Sequence, residues 1–370
     1  MITIIGAGVI GLAVAAEVAA KGREVYILEK NETFGQETSS RNSETIHAGI
    51  YYPKGSLKAE TCVAGNALLY KLCEQHGIGY RKTGKLIVAT KDEEVGKLEA
   101  LLEQGIRNGV KGLIMLSRKE VRELEPNVEA VAAISSPSSG IIDSYALMRY
   151  LLNRAKEKGA EIGYRSRVVG IEGRSDGYEV TVENGSGSFP FKTEVVINCA
   201  GLYSDRIAQL AGIDIGEAGY TQFYCKGEYF SVGSSKSRLV ERLIYPVPEL
   251  GTGGTGIHTV MDVEGRMKLG PNARYVDEIA YKVDESQKGV FYNSVKPFLP
   301  FIEYDDLEPE MAGIRPKLQG PGEDFRDFVI RHEADKGLPG LINLLGIESP
   351  GLTSAPAIAK YVESIVKEIL

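Results

Sequence analysis

At 370 residues the chain is too long for one ordinary core and is expected to hold two domains. A net charge of -7 with no basic block excludes nucleic acid as the main partner, because a phosphate backbone needs clustered Lys and Arg, and leaves small molecules. No apolar run of about 18 residues is free of charge and glycine, and the chain starts directly on its first strand, so neither a transmembrane segment nor a signal or transit segment is expected.

Residues 1–30, MITIIGAGVIGLAVAAEVAAKGREVYILEK, read as one nucleotide-binding βαβ unit. Residues 2–5 are a short apolar run with β-branched side chains. Gly6, Gly8 and Gly11 follow in G-x-G-x-x-G spacing, then an alanine-rich helical segment that Lys21 and Gly22 end. A second strand over 24–28 delivers Glu29, 18 residues after Gly11, where a carboxylate accepts hydrogen bonds from ribose hydroxyls. Gly6 permits the tight turn, Gly8 lets a pyrophosphate approach the backbone, and Gly11 lets the helix pack close to the strand. The free N–H groups of the helix start face the phosphates. By itself the unit fits the adenosine of NAD or of FAD.

The next stretch crowds Thr38, Ser39, Ser40, Arg41, Asn42 and Ser43 just ahead of His47, Gly49, Tyr51 and Tyr52. Its small hydroxyl residues suit hydrogen bonding to a phosphate or ribityl chain at close range. A helix is expected from 57, with Leu68, Leu69, Leu72 and Cys73 on one face and Gly77 as its stop. Residues 85–90 read as a strand, 91–108 as a charged amphipathic helix, and 112–116 and 129–135 as further strands of a second domain. The chain returns at Gly140, with Asp143 and Ser144 as helix caps and a helix ending near Gly159. A hairpin is expected over 167–172 and 178–183, then a strand over 193–198 that ends in Cys199, Ala200 and Gly201 and turns into another helix. Residues 216–306, rich in Tyr, Val, Thr and Gly, are expected to form antiparallel sheet. Strands over 327–331 and 341–345 lead into GIESPGLTSAP and a C-terminal helix.

The fold class expected from this order is α/β, or α+β overall: a Rossmann-like domain from 1–84, 140–215 and 307–370, and a discontinuous substrate-binding domain from 85–139 and 216–306 on a mainly antiparallel sheet. Three visits to the nucleotide domain, each ending in small residues before a helix, favour FAD over NAD, since a flavin needs backbone contacts beyond one Rossmann unit. The C-terminal loop and helix would set a positive dipole end near the flavin N1 and C2 carbonyl. Cys62, Cys73, Cys199 and Cys225 form no C-x-x-C and no zinc spacing with the four histidines, so they read as buried or free thiols of a reducing, cytoplasmic compartment, and no metal site is expected.

The strings GAGVIG, RNSETIHAGIYYPKGSLKAETCVAG, GIIDSYAL, INCAG, GIHTVMDVEGRMKLGPNA, GIRPK and NLLGIESPGLTSAPAIA run through nearly the whole chain. In them the sequence resembles the glycine oxidase, D-amino acid oxidase and glycerol-3-phosphate dehydrogenase superfamily of FAD enzymes, and most of all the L-2-hydroxyglutarate dehydrogenases and oxidases. Two departures stand out. Glu44 occupies a position where that group tends to carry glycine, and Arg315 with Pro316 and Lys317 is closer to the amino acid oxidases. The resemblance implies cofactor contacts from Gly6, Gly8, Gly11, Glu29 and Lys30, from Ser39, Ser40, Arg41, Asn42, Ser43 and His47, from Val168, Ala200 and Gly201, and from Gly346, Ser349, Pro350, Gly351, Leu352 and Thr353.

The implied reaction is FAD-dependent oxidation of a 2-hydroxy acid, foremost L-2-hydroxyglutarate to 2-oxoglutarate, with hydride transfer to flavin N5 and electrons passed to a quinone or oxygen. An amino acid or amine oxidase, a glycerol-3-phosphate dehydrogenase and a non-catalytic FAD-binding module are the alternatives. Losing a hydroxyl proton requires a base, for which His47 and His258 are candidates because imidazole titrates near working pH. His76 and His332 read as surface or cap histidines. Arg315 matches the arginine that grips the substrate carboxylate in the amino acid oxidases, and its fork suits a bidentate hold. Lys317 or Tyr51 would serve a distal carboxylate. An acidic chain without a basic amphipathic tail gives no sign of stable membrane docking, leaving only a weak peripheral contact for a quinone-linked enzyme.

Overall fold

The computed structural model describes residues 1–20, 22–248 and 255–370. Its central layer is a six-stranded sheet in the order Val329–His332, Leu341–Leu345, Val195–Asn198, Ile2–Ile5, Val25–Leu28 and Glu161–Gly163. Every neighbouring pair is parallel except Val329–His332 against Leu341–Leu345. The strands are apolar and the inner ones buried, as a sheet covered by helices requires. Ile4, Leu12, Ile27, Ile197, Ile342, Leu344, Ile358 and Val362 are among the side chains of one core cluster, and each fully buried aliphatic chain contributes roughly 1.5–3 kcal/mol.

The first helix, Val9–Val18, stops earlier than the sequence suggested, because Ala19 turns extended (φ -63°, ψ 122°) while its N–H still closes on the Ala15 carbonyl. Gly22 then turns the chain at φ +89°, and Lys21 lies outside the described residues. The helix Leu57–His76 is capped at Ser56, whose side chain accepts the Ala59 N–H, and stops at Gly77, φ +66°. It crosses the C-terminal helix, Gly351–Ile369, so closely that a Cβ on Gly65 would sit 2.2 Å from the Thr353 carbonyl oxygen.

The second region carries two sheets. In one, Phe223–Val232 pairs antiparallel with Met267–Gly270, Arg274–Val276 and Leu307–Lys317, and His258–Met261 extends it. The other has the order Leu243–Pro246, Lys85–Ala89, Ala132–Ser136, Ile114–Ser117. Three local expectations are corrected here. The 216–306 stretch is not all antiparallel sheet: Leu243–Pro246 runs parallel to Lys85–Ala89, a helix occupies Lys288–Val295, and 249–254 lie outside the described residues. The hairpin is a three-stranded meander, since Gly187–Thr193 pairs with Gly177–Asn184 as well, leaving only Val195–Asn198 for the central sheet. The strand expected at 112–116 begins at Ile114, because Gly112 turns at φ +75°. Leu307–Lys317 pairs along its whole length with Phe223–Val232, so the segment that returns to the nucleotide domain first completes the antiparallel sheet.

Candidate active site

Parallel pairing of Ile2–Ile5, Val195–Asn198 and Leu341–Leu345 brings the small-residue turns that follow them to one edge of the sheet. Gly6 (φ +104°) packs against the second of these turns: a Cβ there would lie 2.5 Å from the Cys199 carbonyl oxygen. In front of that edge lies a cavity of about 1250 Å³, extending from Gly6, Gly8, Glu29 and Lys30 past Ser39, Arg41, Asn42, Ser43, Val168, Ala200 and Gly201. It continues to His47, Tyr51, His258, Arg315, Lys317 and the loop Ser349–Leu352.

The geometry of the nucleotide end fits a dinucleotide. A Cβ on Gly8 would come within 2.9 Å of Ser39 Oγ, and that oxygen accepts the Val9 N–H at 2.9 Å, so the first turn of the helix faces the serine-rich loop across a gap that admits only glycine. Glu29, 6% exposed, accepts the Ala7 N–H on one oxygen and the Asn31 N–H on the other, both at 2.8 Å. These bonds fix its carboxylate at the wall of the cavity. Lys30 pairs with Glu37 and lies over the Tyr203 ring; Arg41 lies over Tyr281, whose hydroxyl donates to Glu37. Burial pushes the Glu37 carboxyl up, but hydrogen bonds from Lys30 and Tyr281 leave it below its ordinary value.

Four of the expected cofactor residues stand off the cavity. Gly11 is a packing position, where a Cβ would be 2.0 Å from the Gly6 carbonyl. Ser40 is exposed and donates to Glu37 O, Gly346 (φ +67°) donates to Gln222, and Thr353, fully buried, accepts the His47 N–H at 2.9 Å. Glu44 adopts φ +53°, a region that favours glycine. Its carboxylate accepts both the Ser144 N–H and hydroxyl, tying the strained turn to the start of the helix Ser144–Glu157.

At the other end the sequence candidates converge. His258 begins its strand, and its Nδ1 lies 2.7 Å from the Gly256 carbonyl, which assigns the proton to Nδ1 and leaves Nε2 as the basic nitrogen. Burial holds this imidazole down at about 3, with Lys85 and Arg315 adding to the effect, so it is neutral at working pH. His47 is held well below its ordinary range by burial, then by Lys85 and His258. Its Nε2 is 3.3 Å from Ser349 Oγ, and its buried Nδ1 has no hydrogen-bond partner among the described residues. The Arg315 guanidinium donates to Asn272 O at 3.1 Å and to Cys225 Sγ, and has no carboxylate within ion-pair distance among the described residues. Lys317 is engaged: with Lys58 it shares the buried carboxylate of Glu348, at 2.9 Å from each ammonium. Burial would raise that carboxyl, yet the two lysines hold it below its ordinary value. His76 is exposed and stacks on Tyr150, and His332 accepts the Gly340 N–H, so neither approaches the cavity.

Several buried polar side chains were invisible in the sequence. Lys85 is 1% exposed and lies over the Tyr245 ring at 3.7 Å, and the same ring stacks on His258 at 3.6 Å. In KLIVAT a leading lysine reads as a solvated strand end; only its parallel pairing beside Leu243–Pro246 buries it. Asn198 and Asn343, paired in register, donate in sequence toward the fully buried Glu333, a polar chain inside the sheet that no motif announces.

All four cysteines are free and buried. Among the described residues no cluster of His, Cys, Asp and Glu is arranged to hold a metal ion, and no helix is long and apolar enough to cross a membrane.

Comparison with known proteins agrees with this geometry. Residues 1–365 match the family described as DAO, FAD dependent oxidoreductase. The chain is 38% identical to the mitochondrial L-2-hydroxyglutarate dehydrogenase of Arabidopsis thaliana, over 97% of this chain and 82% of that protein. It is 30% identical to the L-2-hydroxyglutarate dehydrogenase of Indibacter alkaliphilus, over 96% of each. Among solved structures, the dithionite-reduced L-alpha-glycerophosphate oxidase of Mycoplasma pneumoniae with FAD bound superposes with a TM-score of 0.86 at 29% identity, covering 98% of this chain and 93% of that one. A cavity built from a G-x-G-x-x-G turn at one end and a buried histidine and a half-buried arginine at the other, on a chain matched almost throughout, belongs to a member of the DAO family of FAD-dependent oxidoreductases.

Proposed function

We propose that the chain oxidises L-2-hydroxyglutarate to 2-oxoglutarate. The observation that carries this reading is the meeting of Arg315, a half-buried guanidinium with no carboxylate at ion-pair distance among the described residues, and His258, a neutral imidazole of fixed tautomer, in the cavity that begins at the dinucleotide loop. The names of the relatives at 38% and 30% identity support the choice of substrate. FAD, which Gly8, Ser39, Glu29 and the Ser349–Leu352 loop would hold, would supply a two-electron acceptor for the C2 hydrogen.

The protein's own part is binding and proton handling. Arg315 grips the C1 carboxylate through its fork and so fixes which face of C2 is presented. His258 Nε2 accepts the hydroxyl proton, and the Gly256 carbonyl, already bonded to Nδ1–H, stabilises the imidazolium that results. The removed hydride and proton account for the two electrons and two hydrogens lost as the alcohol becomes a ketone. The electron acceptor that completes the cycle is a quinone or oxygen, and the protein works in the cytoplasm, with at most a peripheral contact to the inner membrane face.

Anaerobic mixing tests the reading. L-2-Hydroxyglutarate should bleach the bound flavin while glycine, sarcosine and glycerol 3-phosphate do not; no bleaching by the hydroxy acid refutes the substrate. Arg315→Ala should lose most turnover with flavin still bound, whereas a non-catalytic FAD module would be indifferent to the change.

A further inference from the structure

A dicarboxylic substrate needs a second cation, and the cavity's cations are mostly committed. Lys58 and Lys317 share Glu348, Lys30 pairs with Glu37, and Arg41 lies on Tyr281. We propose that Lys85, acting with the Tyr51 hydroxyl, forms a second anion site that receives the distal carboxylate of a dicarboxylic 2-hydroxy acid, with Arg315 holding the first. This rests on the substrate class argued above.

The geometry is specific. The Lys85 ammonium nitrogen makes no hydrogen bond and no ion pair with any described residue, although the residue is 1% exposed. A buried lysine without an anion sheds its proton readily, and a carboxylate that supplies the missing charge restores it. Tyr51 lines the cavity, and its buried hydroxyl has no hydrogen-bond partner among the described residues. The Lys85 ammonium lies behind that wall, 5.3 Å from the centre of the Tyr51 ring. A carboxylate accepting from Tyr51 therefore enters the field of Lys85 in a place with little water. His258, the base, shares the Tyr245 ring with Lys85 and also feels Arg315. Lys85 and Arg315 thus attend the same histidine, as the two ends of a short dicarboxylate with a hydroxyl between them require.

The groups facing Lys85 are Tyr51, Tyr245, Cys62, His47 and His258. Burial holds the lysine at about 7, so at pH 8 the arriving carboxylate should draw a proton onto it.

The test uses the FAD-loaded enzyme with two ligands that cannot be oxidised at C2: glutarate, with two carboxylates, and butyrate, with one. Binding is read from the flavin absorbance, and proton uptake from calorimetry at pH 8 in buffers of different ionisation heat. Lys85→Met should weaken glutarate on the order of 100-fold, the size of one charge pair at about 5 Å in a partly screened interior. It should change butyrate less than about 2-fold and abolish proton uptake, which in the wild type approaches one proton per glutarate. Tyr51→Phe should weaken glutarate about 10-fold, the loss of one hydrogen bond to a charged group, again sparing butyrate. Equal losses for both ligands in Lys85→Met, or unchanged glutarate binding, overturn the proposal. Should Lys85→Met fail to hold flavin, absence of proton uptake by the wild type, or an unselective Tyr51→Phe, overturns it. A wild type that binds glutarate with proton uptake, yet is not bleached by L-2-hydroxyglutarate, supports the anion site and refutes the substrate.

Discussion

Replacing Glu348 by Gln removes the carboxylate charge that two buried ammonium groups share. The side chains of Lys58, Lys317 and Glu348 are 5%, 5% and 6% exposed, so water cannot replace the carboxylate. Breaking a buried pair by deleting one partner costs about 3–5 kcal/mol, and here two cations lose the same partner. For a chain of this length the entropy of unfolding is about 0.8 kcal/mol/K, so the melting midpoint should fall by about 4–6 °C. Lys317→Met should cost much less, about 1 kcal/mol, because Glu348 keeps Lys58. The pH dependence has a definite sign. Glu348 titrates below its unfolded value of 4.5, so its contribution is full above that pH and is lost as the pH falls through the folded value. Urea unfolding of wild type and Glu348→Gln should therefore differ most at neutral pH and converge in acid. A difference under about 1 kcal/mol at pH 7, or one that grows on acidification, refutes the reasoning.

Gly8→Val should leave the fold in place and lower FAD affinity by at least about 10-fold, one hydrogen bond's worth or more, because the new side chain occupies the gap in front of Ser39 Oγ; apoprotein titration with FAD by fluorescence checks it. His258→Gln should slow anaerobic flavin reduction by about 10²–10⁴ with FAD retained, measured by stopped-flow absorbance. Since burial keeps His258 neutral down to about 3, the wild-type reduction rate should show no loss from imidazole protonation between pH 8 and pH 5; a fall centred near 6.5 would place the base elsewhere.

The parts of this molecule legible from the sequence are those specified by local chemistry. Gly6, Gly8 and Glu29 stand at the tight turn, the close approach and the strand end that their spacing called for, because each of these leaves a residue type at a fixed interval. The order of strands and small-residue turns likewise announced the sheet edge at which they meet. What stayed hidden depends on distant pairing. Lys85 becomes a buried cation only because Leu243–Pro246 lies beside it in parallel, more than 150 residues on in the chain. Lys317 looked available for substrate until Glu348 and Lys58, from two other elements, closed around it. Glu44, an apparent departure from its relatives, turns out to occupy a glycine-like backbone angle and to offset the strain through Ser144.

The strand Leu307–Lys317 links the two ends of the cavity. Its Gly313 meets the cofactor loop so tightly that a Cβ would lie 1.9 Å from the Arg41 carbonyl, and the Ile314 carbonyl accepts the Thr38 hydroxyl at 3.0 Å. Arg315 follows at once, registered opposite Cys225 on the neighbouring strand. Arg315, the proposed carboxylate anchor, is thereby located against the 38–43 loop by short contacts of its own strand, and a hydroxy acid held by it would inherit that fixed reference. Positioning of this kind converts binding into orientation of C2, a service the protein can give to a reaction whose electrons go to a cofactor.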